Sequence, residues 1–123
     1  MGKLSRDKGK VGERETVKTY RSWGLPDPRR SQQVDGSLSS DVVVPVLPDL
    51  HTESKRYAKI GAMRFMDQAV ADAAGVTENG RPYGKDPLPV VVMREDHGEQ
   101  VIMLRTKDVP RFVGMLSDLG VGE

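Results

Sequence analysis

The sequence predicts an α/β domain in which a mixed β-sheet is flanked by helices, and three observations support this. The chain has 123 residues, the usual size of one domain, with 37% hydrophobic and 30% charged residues, a mixture typical of folded rather than disordered chains. Three segments have the apolar periodicity of helices, and five shorter segments have the pattern of strands. Their order, α-β-β-β-α-β-β-α, favours one sheet with helices on its faces.

The first half of the chain contains a helix followed by three strands. Ser5 can cap the helix and Gly24 can stop it, while Val17 and Tyr20 share its inward face. The last two strands are separated by a short turn, so we expect them to be neighbours in the sheet. The predicted bounds are residues 5–23 for the helix, residues 29–33, 41–47 and 51–57 for the strands, and residues 34–40 for an intervening turn.

The second half contains a helix, two strands and a final helix. The first of these helices has two apolar stripes, so we expect it to be covered on two sides, by the sheet and by a partner subunit. The stripes are Met63, Met66, Val70, Ala73 and Ala74, and Ala62, Phe65 and Ala69. The final helix is expected to pack through Val109, Phe112, Val113 and Leu116. The predicted bounds are residues 60–75 and 107–119 for the helices, residues 90–93 and 99–105 for the strands, and residues 76–88 for a loop.

Composition excludes several classes of site and location. The chain has no cysteine, which excludes disulfides, thiolate nucleophiles and Cys-ligated zinc, and its two histidines, His51 and His97, nearly exclude a His-built zinc site. Its apolar runs are far shorter than the roughly 20 residues of a membrane span. The basic N-terminus lacks the apolar stretch of a secretory signal. We therefore expect a reduced, soluble compartment and no membrane partner.

Charge is unevenly distributed along the chain. The formal net charge is +1, but residues 1–35 carry +4 and residues 61–123 carry −3. The basic N-terminal part can form an anion-binding face, or it can be a solvated helix with a basic tail. Two interpretations are also open for Arg29 and Arg30: they bind phosphate, or they only make a loop soluble.

Two neighbouring strands carry the residues that point to chemistry. Glu53 and Lys55 lie two residues apart, so their side chains project from one face of a strand, roughly 7 Å apart. Asp41 begins the preceding strand and can meet Glu53 across the pair. Two adjacent carboxylates repel unless a cation lies between them, and Mg²⁺ suits such a site. A metal there would activate a water and offset the charge of a phosphate under attack, and Lys55 would either stabilise the developing negative charge or orient the water.

Glu13 is an unusual acid on the inward face of the first helix. It lies one turn before Val17, so it either contributes to the site or lies where this face meets water. Glu53 and Lys55 alone are typical of a surface salt bridge. Together with Glu13 and Asp41 they favour a site.

Three blocks of sequence, in order, carry a resemblance to a known family. They are Lys8-Gly9-Lys10-Val11-Gly12-Glu13-Arg14-Glu15, then Arg30-Ser31 with Ser40-Asp41-Val42-Val43, and Thr52-Glu53-Ser54-Lys55. The set resembles the PD-(D/E)XK nuclease superfamily, most closely the archaeal-type Holliday junction resolvases that also occur in phages. Ser54 departs from the family pattern, which has an apolar residue there, and we expect it to change packing on the face opposite the metal.

The resemblance implies a fold and a set of roles. Residues 1–123 would form a single PD-(D/E)XK nuclease-like domain with a restriction-endonuclease-like sheet. Asp41 and Glu53 would bind Mg²⁺, for which Mn²⁺ can substitute, with the backbone carbonyl of Ser54 as a further ligand and Glu13 acting through a metal-bound water. Lys55 would be the catalytic lysine. The residues implied to bind DNA phosphates are Lys8, Arg14, Arg29, Arg30 and Ser31.

The implied function is Mg²⁺-dependent cleavage of branched DNA, namely four-way junctions, by a homodimer with two active sites on one face. The implied location is the cytoplasm of a bacterial or archaeal cell, with a phage as an alternative source of the gene. Two alternatives remain: a general PD-(D/E)XK repair or processing nuclease, and a non-catalytic DNA-binding relative. Gln68, on the helix after the lysine strand, is either a polar active-site residue or a surface amide.

Overall fold

The computed structural model describes residues 3–31, 40–57, 61–75 and 87–121, and the elements within them follow the predicted order. Residues 32–33 and nearly all of the predicted turn and loop at 34–40 and 76–88 lie outside the described residues. Among the described residues, no helix combines the length and the hydropathy that a membrane span requires. The helices are α1 (Lys3–Ser22), α2 (Ala62–Ala74) and α3 (Val109–Asp118), and the strands are β1 (Arg29–Arg30), β2 (Val42–Val43), β3 (Leu50–Tyr57), β4 (Leu88–Glu95) and β5 (Val101–Leu104).

The five strands form one mixed sheet in the order β1-β2-β3-β4-β5. β3 and β4 are parallel over their whole length, from Leu50 opposite Leu88 to Tyr57 opposite Glu95. This pairing is possible because α2 lies between them in the chain and provides the crossover that parallel neighbours need. The other three pairs of neighbours are antiparallel. The predicted α/β architecture with a mixed sheet and flanking helices is therefore confirmed.

β2 is shorter than the predicted strand over residues 41–47. Only Val42 and Val43 belong to the strand, because Pro45 has no N–H with which to continue the ladder. The chain then turns, and the N–H of Leu47 donates to the carbonyl of Val44 at 2.8 Å. Val44 is buried although it lies outside the strand. The Val-rich run is thus a two-residue strand followed by a packed turn.

Apolar side chains pack on both faces of the sheet. α1 and α3 cover one face, where Tyr20 and Phe112 belong to a buried cluster with β4. α2 covers the other face, where Phe65 and Met66 pack against β4. Residues 88–93 of β4 are consequently buried throughout, as expected for a continuous apolar run in a strand that is covered on both sides.

α2 buries one face in the single chain, and that face packs against the sheet. Positions three and four apart are neighbours on a helix, so the two predicted stripes are adjacent rows of the same face. The buried residues of α2 are Phe65, Met66, Ala69 and Ala73. Met63 is 65% exposed and lies apart from them. A surface that a partner subunit covers is exposed in a single chain, so the expected partner on α2 stays a prediction.

α3 is rotated relative to the predicted packing. Phe112 is buried, but Val109 and Val113 are exposed. The residues three, four and seven positions after Phe112 continue its inward face. These residues are Met115, Leu116 and Leu119, and they pack against the same buried cluster as Phe112.

α1 approaches β3 closely, and this contact positions the predicted site. A Cβ atom at Gly12 would lie 3.1 Å from the Cβ of Arg56 and 3.2 Å from the Oγ of Ser54. One turn later, the hydroxyls of Thr16 and Ser54 lie 3.2 Å apart. Another turn later, the Tyr20 hydroxyl lies 2.8 Å from the Thr52 hydroxyl. This row of small and polar contacts holds α1 against β3 and so determines where Glu13 lies.

Candidate active site

β3 directs alternate side chains toward α1 and α2. Ser54 faces α1, where it contacts Thr16. Lys55 faces α2, where its Nζ donates to the Oε1 of Gln68 at 2.9 Å. Because residues two apart share a face of a strand, Glu53 lies with Lys55 on the α2 side. Ser54 therefore makes a polar contact on the opposite face from Glu53.

Asp41 lies beside Glu53. The antiparallel register pairs Val42 with Thr52, which puts Asp41 across from Glu53. The N–H of Asp41 donates to the carbonyl of Thr52 at 2.8 Å. Its carboxylate oxygen Oδ2 accepts the N–H of Ser54 at 2.9 Å. One hydrogen bond donated by its backbone N–H and one accepted by its carboxylate thus hold Asp41 at the edge of β3.

Ser40 fixes the chain immediately before Asp41. Its buried hydroxyl accepts the N–H of Thr52 at 2.8 Å and donates to the carbonyl of Val42 at 2.6 Å. Thr52 immediately precedes Glu53 in the chain. This hydroxyl therefore ties together the two backbone segments that carry the neighbouring carboxyls.

Burial changes the acidity of both carboxyls. The pKa of Asp41 is raised to about 7, mainly by burial and also by the charge of Glu53. The hydrogen bond from the N–H of Ser54 acts in the opposite direction and lowers this pKa. Burial likewise raises the pKa of Glu53 to about 7, against the lowering by its hydrogen bond with Asp41 and by the charge of Lys55. Two carboxyls that share a hydrogen bond hold a proton between them. A divalent cation would displace this proton and offset the repulsion.

Lys55 supplies positive charge next to the two acids. Its charge lowers the pKa of both Asp41 and Glu53. Its Nζ donates to Gln68 and lies 5.4 Å from the centroid of the Phe65 ring. Gln68 is therefore in direct contact with the predicted catalytic lysine.

Glu13 contacts a cation rather than the other two acids. Its Oε1 accepts the Nε of Arg30 at 2.9 Å, and its side chain is 14% exposed. Burial raises the pKa of Glu13, the hydrogen bond from Arg30 lowers it, and the charge of Asp41 raises it. The structure thus brings Asp41, Glu53 and Lys55 together and places Glu13 near Asp41, paired with Arg30.

A groove next to Glu13 is lined by arginines from α1 and β1. Its volume is about 370 Å³, and its lining residues are Arg14, Val17, Arg21, Pro28, Arg29 and Arg30. Arg14 and Arg29 are exposed, so their guanidinium groups can reach a bound anion. Ser31 donates its backbone N–H to the carbonyl of Asp41 at 3.0 Å and so joins this groove to the carboxyls. The side chain of Lys8, also predicted to bind DNA, lies outside the described part of the chain.

Mg²⁺ prefers oxygen ligands, and the donors at Asp41 and Glu53 are carboxylate oxygens. The N–H and C=O of one residue leave an extended strand on the same side. Because the N–H of Ser54 donates to Asp41, the Ser54 carbonyl also faces the side of β3 on which Asp41 lies. The residues present therefore fit the predicted Mg²⁺ site.

The chain matches no protein-family model, no curated protein and no solved structure. The chemistry of this site is therefore inferred from its own geometry.

The sequence prediction missed two residues next to Glu53. The Nε2 of His51 lies 2.9 Å from the Oε1 of Glu53, and His51 is fully buried. Asp72 of α2 completes a group in which one potential ligand atom from each residue lies within 4.8 Å of the others. Burial lowers the pKa of His51, against the charges of Asp72 and Asp41. Their spacing in the sequence could have pointed to both residues. His51 is two residues before Glu53 in the same strand, and Asp72 is one helical turn after Gln68.

Proposed function

We propose that this protein is a Mg²⁺-dependent, structure-selective endonuclease of the PD-(D/E)XK superfamily that resolves four-way DNA junctions. The observation that supports this most is the neighbouring pair of carboxyls, the half-buried Asp41 and the buried Glu53, with Lys55 on the same face of β3 as Glu53. Two neighbouring acids whose pKa values are both raised form an arrangement that a divalent cation stabilises. A mixed sheet covered by helices on both faces is compatible with the restriction-endonuclease-like topology that the proposal requires.

The proposed reaction is hydrolysis of a backbone phosphodiester. Mg²⁺ bound by Asp41 and Glu53 would supply positive charge at the phosphate and lower the pKa of a water molecule. Water would attack phosphorus in line with the leaving oxygen and lose a proton to solvent, while the bond between phosphorus and the leaving oxygen breaks and that oxygen takes a proton from solvent. Lys55 stabilises the negative charge that develops on the phosphate, and Gln68 keeps the ammonium group oriented.

The arginine-lined groove would hold the DNA backbone beside the carboxyls. Arg14 and Arg29 bind phosphates there, while Arg30 stays paired with Glu13 and Ser31 links the groove to Asp41. Phosphate contacts carry no sequence information, so the selectivity for a junction comes from its shape, and binding weakens with salt.

The proposed active form is a homodimer, because a two-fold dimer presents two equivalent sites to two equivalent strands of a junction. The proposed place of action is the cytoplasm of a bacterial or archaeal cell. Light scattering of the full chain at micromolar concentration tests the dimer, since a monomeric mass contradicts it.

Cleavage of a labelled four-way junction by the full chain, with Mg²⁺ or with EDTA, tests the proposed activity. We expect Mg²⁺-dependent cleavage, with Mn²⁺ able to replace Mg²⁺. Asp41→Asn and Lys55→Ala are each expected to reduce the rate by at least about 100-fold, the scale of losing one charge-stabilising group in an active site. Lys107→Ala removes an exposed lysine before α3 and serves as the matched control.

Three results would contradict parts of this proposal. Cleavage by the Asp41 and Lys55 variants at the wild-type rate would remove these residues from the site. Equal cleavage of a linear duplex of the same sequence would favour a general processing nuclease over a junction resolvase. Binding without any cleavage would favour a non-catalytic DNA-binding relative.

A further inference from the structure

His51, Glu53 and Asp72 form a group on the α2 face of the sheet that differs in chemistry from the carboxyl pair at the edge of β3. His51 and Glu53 are buried, and Asp72 is half-buried. The group offers one imidazole nitrogen and two carboxylates, whereas the proposed Mg²⁺ site offers oxygen atoms only. His51 and Asp72 have no part in the proposed hydrolysis.

The separations in this group are close to those of metal ligands. Metal–ligand bonds of about 2.0–2.1 Å put neighbouring ligand atoms about 3 Å apart in octahedral geometry and about 3.4 Å apart in tetrahedral geometry. The Nε2 of His51 and the Oε1 of Glu53 are already 2.9 Å apart. The group as a whole lies within 4.8 Å, and rotation of the half-buried Asp72 side chain can shorten the longer separations.

Charge on this face also favours a cation. Glu53 has Asp41 on one side and Asp72 on the other. Lys55 is the cation that offsets these acids, and its Nζ is bound to Gln68 of α2. Three acids with one lysine leave negative charge that a divalent ion can neutralise.

We propose that His51, Glu53 and Asp72 form a second cation position, which takes Zn²⁺ or a similar transition-metal ion in preference to Mg²⁺. Imidazole is a good ligand for Zn²⁺, whereas Mg²⁺ prefers carboxylate, carbonyl and water oxygens. Glu53 is common to this position and to the proposed Mg²⁺ site. An ion bound to His51 therefore competes with Mg²⁺ for the same carboxylate.

Calorimetric titration of the metal-free full chain with Zn²⁺, and separately with Mg²⁺, tests this position without measuring activity. We expect Zn²⁺ to bind at least about tenfold more tightly than Mg²⁺. His51→Gln and Asp72→Asn should each weaken Zn²⁺ binding by at least about tenfold, because even the loss of a residue that only orients a ligand costs about 10–100-fold. His97→Gln and Asp67→Asn, which change the exposed histidine and an exposed acid of α2, are matched controls with little expected effect.

Three results would overturn the proposal: Zn²⁺ binding no tighter than Mg²⁺ binding, Zn²⁺ affinity unchanged in both site variants, or Zn²⁺ affinity lost in His97→Gln. Circular dichroism shows whether the buried substitution His51→Gln preserves the fold. If it does not, Asp72→Asn decides alone, and wild-type Zn²⁺ affinity in that variant overturns the proposal. The junction assay with Asp41→Asn reports separately on the proposed nuclease, so the two can fail independently.

Discussion

Replacing Asp41 by Asn is expected to stabilise the metal-free protein above pH 7, although it removes a proposed Mg²⁺ ligand. Asn has the shape of a protonated Asp. Its side-chain oxygen can still accept the N–H of Ser54, and its amide can donate to Glu53. The variant therefore retains both contacts but lacks the half-buried negative charge of Asp41.

The magnitude follows from the pKa of Asp41, which burial raises from 3.8 to about 7. A raised pKa means that the folded state binds the proton more tightly than the unfolded state. The resulting stability is fully present below pH 3.8 and is lost as the pH rises through about 7. At about 1.4 kcal/mol per pKa unit, the ionised carboxyl lowers the free energy of unfolding by up to ~4 kcal/mol above pH 7. Asn avoids this loss.

Urea denaturation followed by circular dichroism, in EDTA and from about pH 5 to about pH 9, measures the difference. We expect Asp41→Asn to exceed the wild type most at the highest pH, and the difference to shrink toward pH 5. Asp118→Asn, an exposed acid at the end of α3, should stay within about 0.5 kcal/mol of the wild type. Added Mg²⁺ should raise the stability of the wild type and not of the variant. Equal stability of the wild type and Asp41→Asn at high pH would refute the reasoning.

Two further substitutions test the contact of α1 with β3 and the arginine-lined groove. Gly12→Ala should lower the free energy of unfolding by about 1–3 kcal/mol, because its Cβ would press on β3. Gly9→Ala is the control, because its Cβ would have no atom within 4 Å. It should leave the free energy of unfolding unchanged or raise it by up to about 1 kcal/mol in urea denaturation. An equal loss of stability in both variants would contradict the close approach of Gly12 to β3. Arg29→Ala should reduce the slope of log affinity against log salt for junction DNA by about 0.9, the value for one phosphate contact, while Arg111→Ala on α3 should not. A slope unchanged by Arg29→Ala would remove that residue from the DNA interface.

Short-range geometry explains which parts of the fold could be predicted. The alternation along β3 is a property of any extended strand, so Glu53 and Lys55 could be assigned to one face from their spacing. Asp41 could be paired with Glu53 because only a short turn separates their strands. The continuous apolar run in β4 likewise indicated a strand covered on both faces.

The failed predictions have physical causes that lie beyond this local pattern. Pro45 ended β2 early because a missing N–H outweighs the β-propensity of the valines around it. In α3, the orientation of Phe112 left Val109 and Val113 exposed.

The sequence by itself determined the order of the elements, the alternation of β3 and the proximity of Asp41 to Glu53, because each depends on backbone geometry over a few residues. The tertiary structure alone decided that Glu13 pairs with Arg30 and that Asp72 reaches His51 and Glu53. Each of these contacts joins a helix to a strand. They depend on where α1 and α2 dock, and the docking of a helix is determined by the packing of the whole core rather than by its own sequence.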